Sequence, residues 1–218
     1  MRYSLSLVKG VKHEKMHYEV IKTGSTGNCV IINDVMIDVG VPFKAIKDKL
    51  YYIKYILLTH IHSDHIRPAT LKNIKKMFPR IKIIGNYEVH QMYGVDILAN
   101  AGFSVALDNY SFEAFECVHD VVTYGYCWQY MGKEIIYATD TASMKNAPKR
   151  KYDYFFIESN HDEKKVEMLL HTRNSYGYDA YSGAKRHLST QDAKAFYYTH
   201  RRDKNSVFIE LHQSGRFY

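Results

Sequence analysis

Short continuous apolar runs punctuate this chain: Cys29-Val30-Ile31-Ile32, Val35-Met36-Ile37, Tyr55-Ile56-Leu57-Leu58, Ile135-Ile136-Tyr137-Ala138 and Phe155-Phe156-Ile157. Runs of this length read as strands, and those with no polar face read as buried. Further strands are expected at 3–8, 17–22, 81–84, 104–107, 112–118, 124–130 and 207–211, the first two joined by a charged turn. Helical spacing appears at 67–78, where Leu71, Ile74 and Met77 share a face. Helices are also expected at 42–50, 87–93, 96–101 and 162–170, and after His187-Leu188, where Ser189 or Thr190 supplies the N-cap. Residues 171–186, rich in Tyr and Gly, read as an irregular surface segment. No repeat, low-complexity tract or linker interrupts this order, so residues 1–218 read as a single domain. The pattern predicts an α/β fold of two sheets with helices outside.

The polar residues that matter sit where the apolar runs stop. After Tyr55-Ile56-Leu57-Leu58 comes Thr59-His60-Ile61-His62-Ser63-Asp64-His65, three histidines and an aspartate within six positions. Ligand sites of α/β folds lie at such carboxyl ends of strands. Side chains two apart on an extended backbone point the same way, so His60 and His62 can hold one cation. Asp64 and His65 lie on the following turn and suit a second cation nearby. Imidazole suits zinc, manganese or iron, and carboxylate accepts any of these. Two such cations roughly 3.5–4 Å apart form a clamp for hydrolysis. Asp38, His119, Asp140 and His212 likewise each follow a strand. Taken singly, His119 and Asp140 would serve as caps or surface residues as readily as ligands. Asp38, costly to bury unpaired, could orient a ligand histidine. Gly24-Ser25-Thr26-Gly27-Asn28 is either a plain hairpin turn or the floor of the histidine loop.

Composition adds less. The net charge of +7 and the 20 tyrosines fit either a soluble basic protein or one that attracts a polyanion and stacks on bases. Three cysteines without a CxxC exclude a disulfide framework and fit a reducing compartment. Cys117, two residues before His119, reads as a buried thiol, with a ligand role left open. No apolar stretch approaches the ~20 residues of a membrane span. A soluble, cytoplasmic protein with no membrane partner is expected.

With these residues in order, residues 17–213 resemble the metallo-β-lactamase superfamily. The resemblance rests on Asp38 closing an early strand, on His60-Ile61-His62-Ser63-Asp64-His65, and on His119, Asp140 and His212 following in sequence. It implies a four-layer αβ/βα sandwich with two divalent metal ions, zinc or manganese, at its edge. It implies His60, His62 and His119 on the first metal, Asp64, His65 and His212 on the second, and Asp140 between them. Aspartate at 140, where the antibiotic-cleaving branch often has cysteine, is similar to the phosphodiesterases of the superfamily. The small nuclease-like branch (YycJ/WalJ type) is the nearest in its motifs, with ribonuclease Z more distant. The shared motifs are Gly24-Ser25-Thr26-Gly27-Asn28, His119-Asp120, Glu158-Ser159-Asn160-His161-Asp162 and His187-Leu188-Ser189. The resemblance implies that His187 protonates the leaving oxygen and that Asp64 handles the proton of the attacking water. The chain departs from the branch in three places. Arg186 replaces the usual glycine before His187, residues 1–16 precede the matching region, and no insertion matches the tRNA-clamping arm of ribonuclease Z.

The expectation is therefore a binuclear metal-dependent phosphodiesterase acting on DNA or RNA. The alternative within the same chemistry is a cyclic mononucleotide phosphodiesterase, which Tyr176, Tyr178 and Tyr181 would serve as a closed aromatic pocket. A binding module with a dead site and a thioester or lactone hydrolase are the readings from other classes. Dimers are common in the superfamily, so a homodimer is a candidate assembly.

Overall fold

The computed structural model describes residues 16–168, 180–215 and 217–218. Two six-stranded sheets form the centre. The first runs β1 (Tyr18–Lys22), β2 (Cys29–Ile32), β3 (Val35–Ile37), β4 (Tyr55–Leu57), β5 (Lys82–Gly85) and β6 (Ile97–Leu98). The second runs β12 (Val207–Leu211), β11 (Tyr154–Glu158), β10 (Lys133–Ala138), β9 (Thr123–Tyr130), β8 (Tyr110–Cys117) and β7 (Ser104–Leu107). β3 to β6 pair in parallel, as do β10 to β12, and the remaining pairs are antiparallel.

Alternation along each strand builds three apolar layers. Val35, Ile37, Tyr55 and Leu57 face Phe112, Trp128, Ile135 and Tyr137 across the gap between the sheets. Their neighbours Met36, Ile56 and Leu58 point the other way, onto α1 (Phe43–Ile46), α2 (Pro68–Met77) and α3 (Tyr87–Tyr93). On the second sheet Ile136, Ala138, Phe155 and Ile157 turn outward onto α6 (Thr190–His200), through Ala193, Phe196 and Tyr197. Period-2 side-chain direction thus explains why these strands are apolar throughout: both faces are covered. The result is the helix–sheet–sheet–helix stack expected from the order of elements.

Three local expectations change. The helix expected over 42–50 is α1 followed by a 3₁₀ turn, Lys49–Tyr52. Only Ile46 and Leu50 of these two elements are buried, one anchor each, so packing does not enforce a continuous helix. The helix expected over 96–101 is instead β6. Asp96 bonds Ile83 through its backbone N–H and its side chain, and Ala99 N–H donates to the Gly85 carbonyl, so the chain is drawn alongside β5. Within 171–186, Ala180–Ala184 is helical (α5), while 171–179 and the strand expected at 3–8 lie outside the described residues. The helix expected over 162–170 is α4 (Glu163–Glu167).

Tyr126 ties the two sheets together beside the histidine loop. It is fully buried, and its hydroxyl donates to the Leu58 carbonyl at 2.9 Å. Tyr126→Phe removes that donor and should cost about 1–2 kcal/mol. The check is a urea titration with a lower midpoint and an unchanged slope; an unchanged midpoint would show that the tie contributes nothing.

Candidate metal centre

The histidine loop leaves β4 and is fastened from below by the Gly24-Ser25-Thr26-Gly27-Asn28 turn. Asn28 N–H donates to the Asp64 carbonyl at 2.6 Å, and Asn28 Nδ2 lies 2.8 Å from His65 Nε2. Gly40 lies against the same carbonyl: a Cβ added there would sit 1.7 Å from Asp64 O. The turn is thus the floor of the loop as well as a turn. Asp38, fully buried, accepts from Thr59 N–H (2.9 Å), from Thr59 Oγ1 (2.9 Å) and from His65 Nδ1 (2.7 Å). Burial pushes the Asp38 carboxyl up, countered by His65 and Thr59. Because Thr59 Oγ1 donates to Asp38, its lone pairs are left to accept from His60 Nδ1, 3.0 Å away. That fixes the tautomer and leaves His60 Nε2 unprotonated.

His60, His62 and His119 offer ligand atoms all within 4.8 Å of one another. His60 Nε2 and His62 Nδ1 are 3.1 Å apart, and the His119 ring lies 5.3 Å from that of His60 and 5.2 Å from that of His62. Burial, with smaller effects of neighbouring charges, pushes His60 and His119 below the usual imidazole range, which favours their neutral, ligand-competent forms. Asp64, His65 and His212 form a second group of the same compactness. Asp140 joins both sides, grouping with His60 and His65 and also with Glu158, His187 and His212. Its Oδ2 is 2.7 Å from His65 Nε2, and its Oδ1 is 3.7 Å from His212 Nε2. Burial would raise its carboxyl, but His65 above all holds it well below the usual range.

Asp38, Asp140 and His212 all take positive φ, at 59°, 51° and 52°. Asp38 and His212 are the first residue after a strand, and Asp140 is the second. Non-glycine residues seldom adopt this left-handed geometry, and it gathers where surroundings hold it for function. One residue so placed ends the strand and turns its side chain over the sheet edge.

His187 stands at the other wall. Its Nδ1 is 2.6 Å from Glu158 Oε1, the same oxygen that lies 2.8 Å from His212 Nδ1. Glu158 is fully buried and also accepts from Thr141 N–H at 2.9 Å. Burial alone would raise its carboxyl, yet His187 and His212 hold it below its usual value. In the sequence Glu158 stands within a shared motif with no role of its own assigned. The available signal was the one used for Asp38: an acid closing an apolar strand. Arg186, exposed, lies 3.4 Å from Asp120. Cys117 packs with the core under α6 and joins none of the ligand groups among the described residues. A cleft of about 450 Å³ opens beside His187 and His212, lined also by Ser25, Asn160, Arg186 and Gln213.

The donor set fits divalent cations. His119 Nδ1 and His212 Nε2 are buried yet make no hydrogen bond, although buried polar atoms ordinarily find a partner. Both residues belong to compact ligand groups, His119 with His60 and His62, and His212 with Asp64 and His65. Imidazole nitrogen with carboxylate oxygen is the chemistry of zinc and manganese sites.

Similarity to known proteins agrees. No family model matches the chain. The solved structure of the metallo-β-lactamase fold protein YhfI from Bacillus subtilis superposes with a TM-score of 0.69 at 13% identity, covering 92% of this chain and 87% of that one. This chain has the metallo-β-lactamase fold. Human tRNase Z, short form, shares the fold at a TM-score of 0.65 and 15% identity, over 91% of this chain and 93% of that one. In sequence the chain is similar to exodeoxyribonuclease YycJ of Bacillus anthracis, 26% identical over 179 residues. That match takes in 71% of this chain and spans 65% of the length of the relative. The metallo-β-lactamase fold implies divalent metal ions, and its sheet edge is where the His/Asp cluster stands.

Gly40→Ala forces a backbone carbonyl to move, since no flexible side chain can give way. The expected outcome is a chain with a lower melting temperature and a metal content, measured by elemental analysis after dialysis, below that of the parent. Full metal content with an unchanged melting temperature would show that the loop floor is not needed.

Proposed function

We propose that this chain is a binuclear metal-dependent phosphodiesterase that hydrolyses DNA or RNA. The observation that carries the reading is the convergence of His60, His62 and His119 with Asp64, His65 and His212 around Asp140, beside a histidine held by a buried acid. Two relatives with nuclease names, an exodeoxyribonuclease and a tRNase, support it. His60, His62 and His119 would hold one cation, Asp64, His65 and His212 the other, and Asp140 would bridge them. Zinc or manganese, when bound, supplies Lewis acidity that lowers the pKa of water and neutralises charge on the non-bridging oxygens.

The residues of the chain do the rest. Asp64, on the loop at the mouth of the site, accepts the proton of the attacking water. Glu158 occupies His187 Nδ1, which leaves Nε2 as the atom facing substrate and able to donate to the departing oxygen. Asp38 orients His65, and Thr59 orients His60, so that both present Nε2 to the cluster. Three free cysteines support placement in a reducing cytoplasm, and among the described residues no helix is long and apolar enough to cross a membrane. Monomer and homodimer are distinguished by light scattering.

A cyclic mononucleotide is the second reading, since a cleft of about 450 Å³ is in the size range of a small-molecule site. Its described lining is polar and glycine-rich with Phe217 as its aromatic. Tyr176 and Tyr178 lie outside the described residues, and Tyr181 does not line the cleft.

The test is a metal-by-substrate screen: linear duplex DNA, single-stranded DNA, RNA and cyclic mononucleotides, each with Mn²⁺ and Zn²⁺. Hydrolysis of a polymer that chelator abolishes is expected. His62→Ala should lose activity while keeping its circular dichroism spectrum, because His62 is part-exposed; full activity in this variant or in metal-free protein would sink the reading.

His187→Ala should slow cleavage of nucleic acid by about 10²–10⁴-fold. It should slow bis(p-nitrophenyl) phosphate far less, because that leaving group needs no proton. Equal loss on both substrates would remove the acid role from His187.

A further inference from the structure

The excess positive charge of this chain is not spread over it. Segments 44–54 and 72–82 together carry nine Lys and Arg against a single acid, Asp48, in a chain whose net charge is +7. The remainder of the chain is therefore close to neutral. Some twenty residues apart in sequence, these segments meet in the fold. The Tyr51 and Phe78 rings stand edge to face at 5.1 Å, and Lys82 N–H donates to the Lys54 carbonyl. Between them lies a cleft of about 550 Å³, lined by Tyr51, Lys54, Phe78, Arg80 and Lys82, with Asp108 as its acid.

Two features of this cleft point to its occupant. Tyr51 in its wall is 71% exposed, and the adjoining Tyr52, outside the cleft lining, is 80% exposed, although aromatic rings are ordinarily drawn inward. Lys49 and Lys54 are engaged by Glu19 and Asp34, whereas Lys76, Arg80 and Lys82 are exposed and make no ion pair among the described residues. Exposed flat rings interleaved with unpaired cations are the chemistry that holds a single strand: bases stack on the rings while phosphates meet the cations. A duplex keeps its bases stacked on one another and has no use for the tyrosines, and an acidic peptide has no rings to offer them at each residue.

The location separates this surface from the metal centre. Lys54 immediately precedes β4 and Lys82 begins β5, while the histidine loop leaves the opposite end of β4. Six residues of extended chain part Lys54 from His60, roughly 20 Å.

We propose that the cleft between Tyr51 and Arg80 is a docking site for single-stranded nucleic acid, distinct from the metal centre. It holds a strand by a segment remote from the phosphate being cut. The proposal takes its purpose from the phosphodiesterase reading, but its test does not depend on turnover.

The test measures fluorescence anisotropy of a labelled oligothymidylate of about 20 nucleotides with the metal-loaded His187→Ala chain. Arg80→Glu with Lys82→Glu should weaken binding about tenfold or more and flatten its dependence on salt. Tyr51→Ala with Tyr52→Ala should weaken it about tenfold while leaving the salt slope unchanged. Arg80→Gln with Lys82→Gln serves as the milder pair should charge reversal disturb folding. In the otherwise unaltered chain, both pairs should leave bis(p-nitrophenyl) phosphate hydrolysis within about twofold, since neither touches the metal centre. The proposal is overturned if charge neutralisation leaves affinity intact. It is equally overturned if the tyrosine pair has no effect, or if duplex DNA or polyglutamate binds as tightly with the same tyrosine dependence. Absence of any hydrolysis by the unaltered chain would refute the proposed function and leave this binding measurement to stand or fall separately.

Discussion

A carboxylate with no exposed surface, placed at the end of a strand, holds each half of the site. Asp38 closes β3 in the first sheet and Glu158 ends β11 in the second. A buried carboxylate is costly unless its oxygens are filled with donors. Asp38 meets that condition with Thr59 and His65, and Glu158 with Thr141, His187 and His212. Each acid therefore requires particular partners around it, and those partners carry or orient the candidate ligands. The dependence runs in both directions. Without the histidines Asp38 would keep only the Thr59 donors and Glu158 only backbone N–H groups, and without the acids the His65, His187 and His212 rings would lose the partner that orients them.

The two sheets bring these halves together because each contributes chain ends to one edge. β4 delivers the histidine loop, β10 delivers Asp140 and β12 delivers His212. The positive φ at Asp38, Asp140 and His212 lets the chain leave each strand abruptly. Such strain persists only where packing over-determines it. Here the strands before these residues, β3, β10 and β12, are anchored by Ile37, Ile135, Tyr137 and Leu211 in the layer between the sheets. The core is thus the reason the site can keep three unfavourable backbone angles within a small volume.

Much of this was legible in the sequence, for a definite reason. Strands buried on both faces are written as continuous apolar runs, and a polar residue that ends such a run must either reach solvent or find a partner. That rule located Asp38, the histidine loop, His119, Asp140 and His212. The same rule applies to Glu158, the polar residue that ends the run Phe155-Phe156-Ile157. β6 was illegible because a strand of Ile97 and Leu98 has no period to read, and its identity comes from Asp96 bonding Ile83 across the sheet. The break after α1 was illegible because helix propensity continues through Lys47-Asp48-Lys49 while burial does not. The left-handed angles leave no mark in composition when the residue is Asp or His rather than Gly. The basic cleft was hidden because proximity of 44–54 to 72–82 is a property of the parallel pairing of β4 with β5.

If both proposals hold, charge is arranged so that binding and chemistry sit on different grounds. Around the metal centre the fixed groups are Asp38, Asp64, Asp120, Asp140 and Glu158, and the exposed cation beside it, Arg186, is turned to Asp120. Under the proposed reading, a polyanion would find its attraction elsewhere on the chain. The far end of the first sheet carries Lys76, Arg80 and Lys82, which make no ion pair among the described residues. A positive patch placed among the carboxylates would be drawn into ion pairs with them, as Lys54 is with Asp34, and would compete with metal for the same oxygens. Separating the two by the length of β4 keeps the carboxylates open to cations and the lysines open to phosphate.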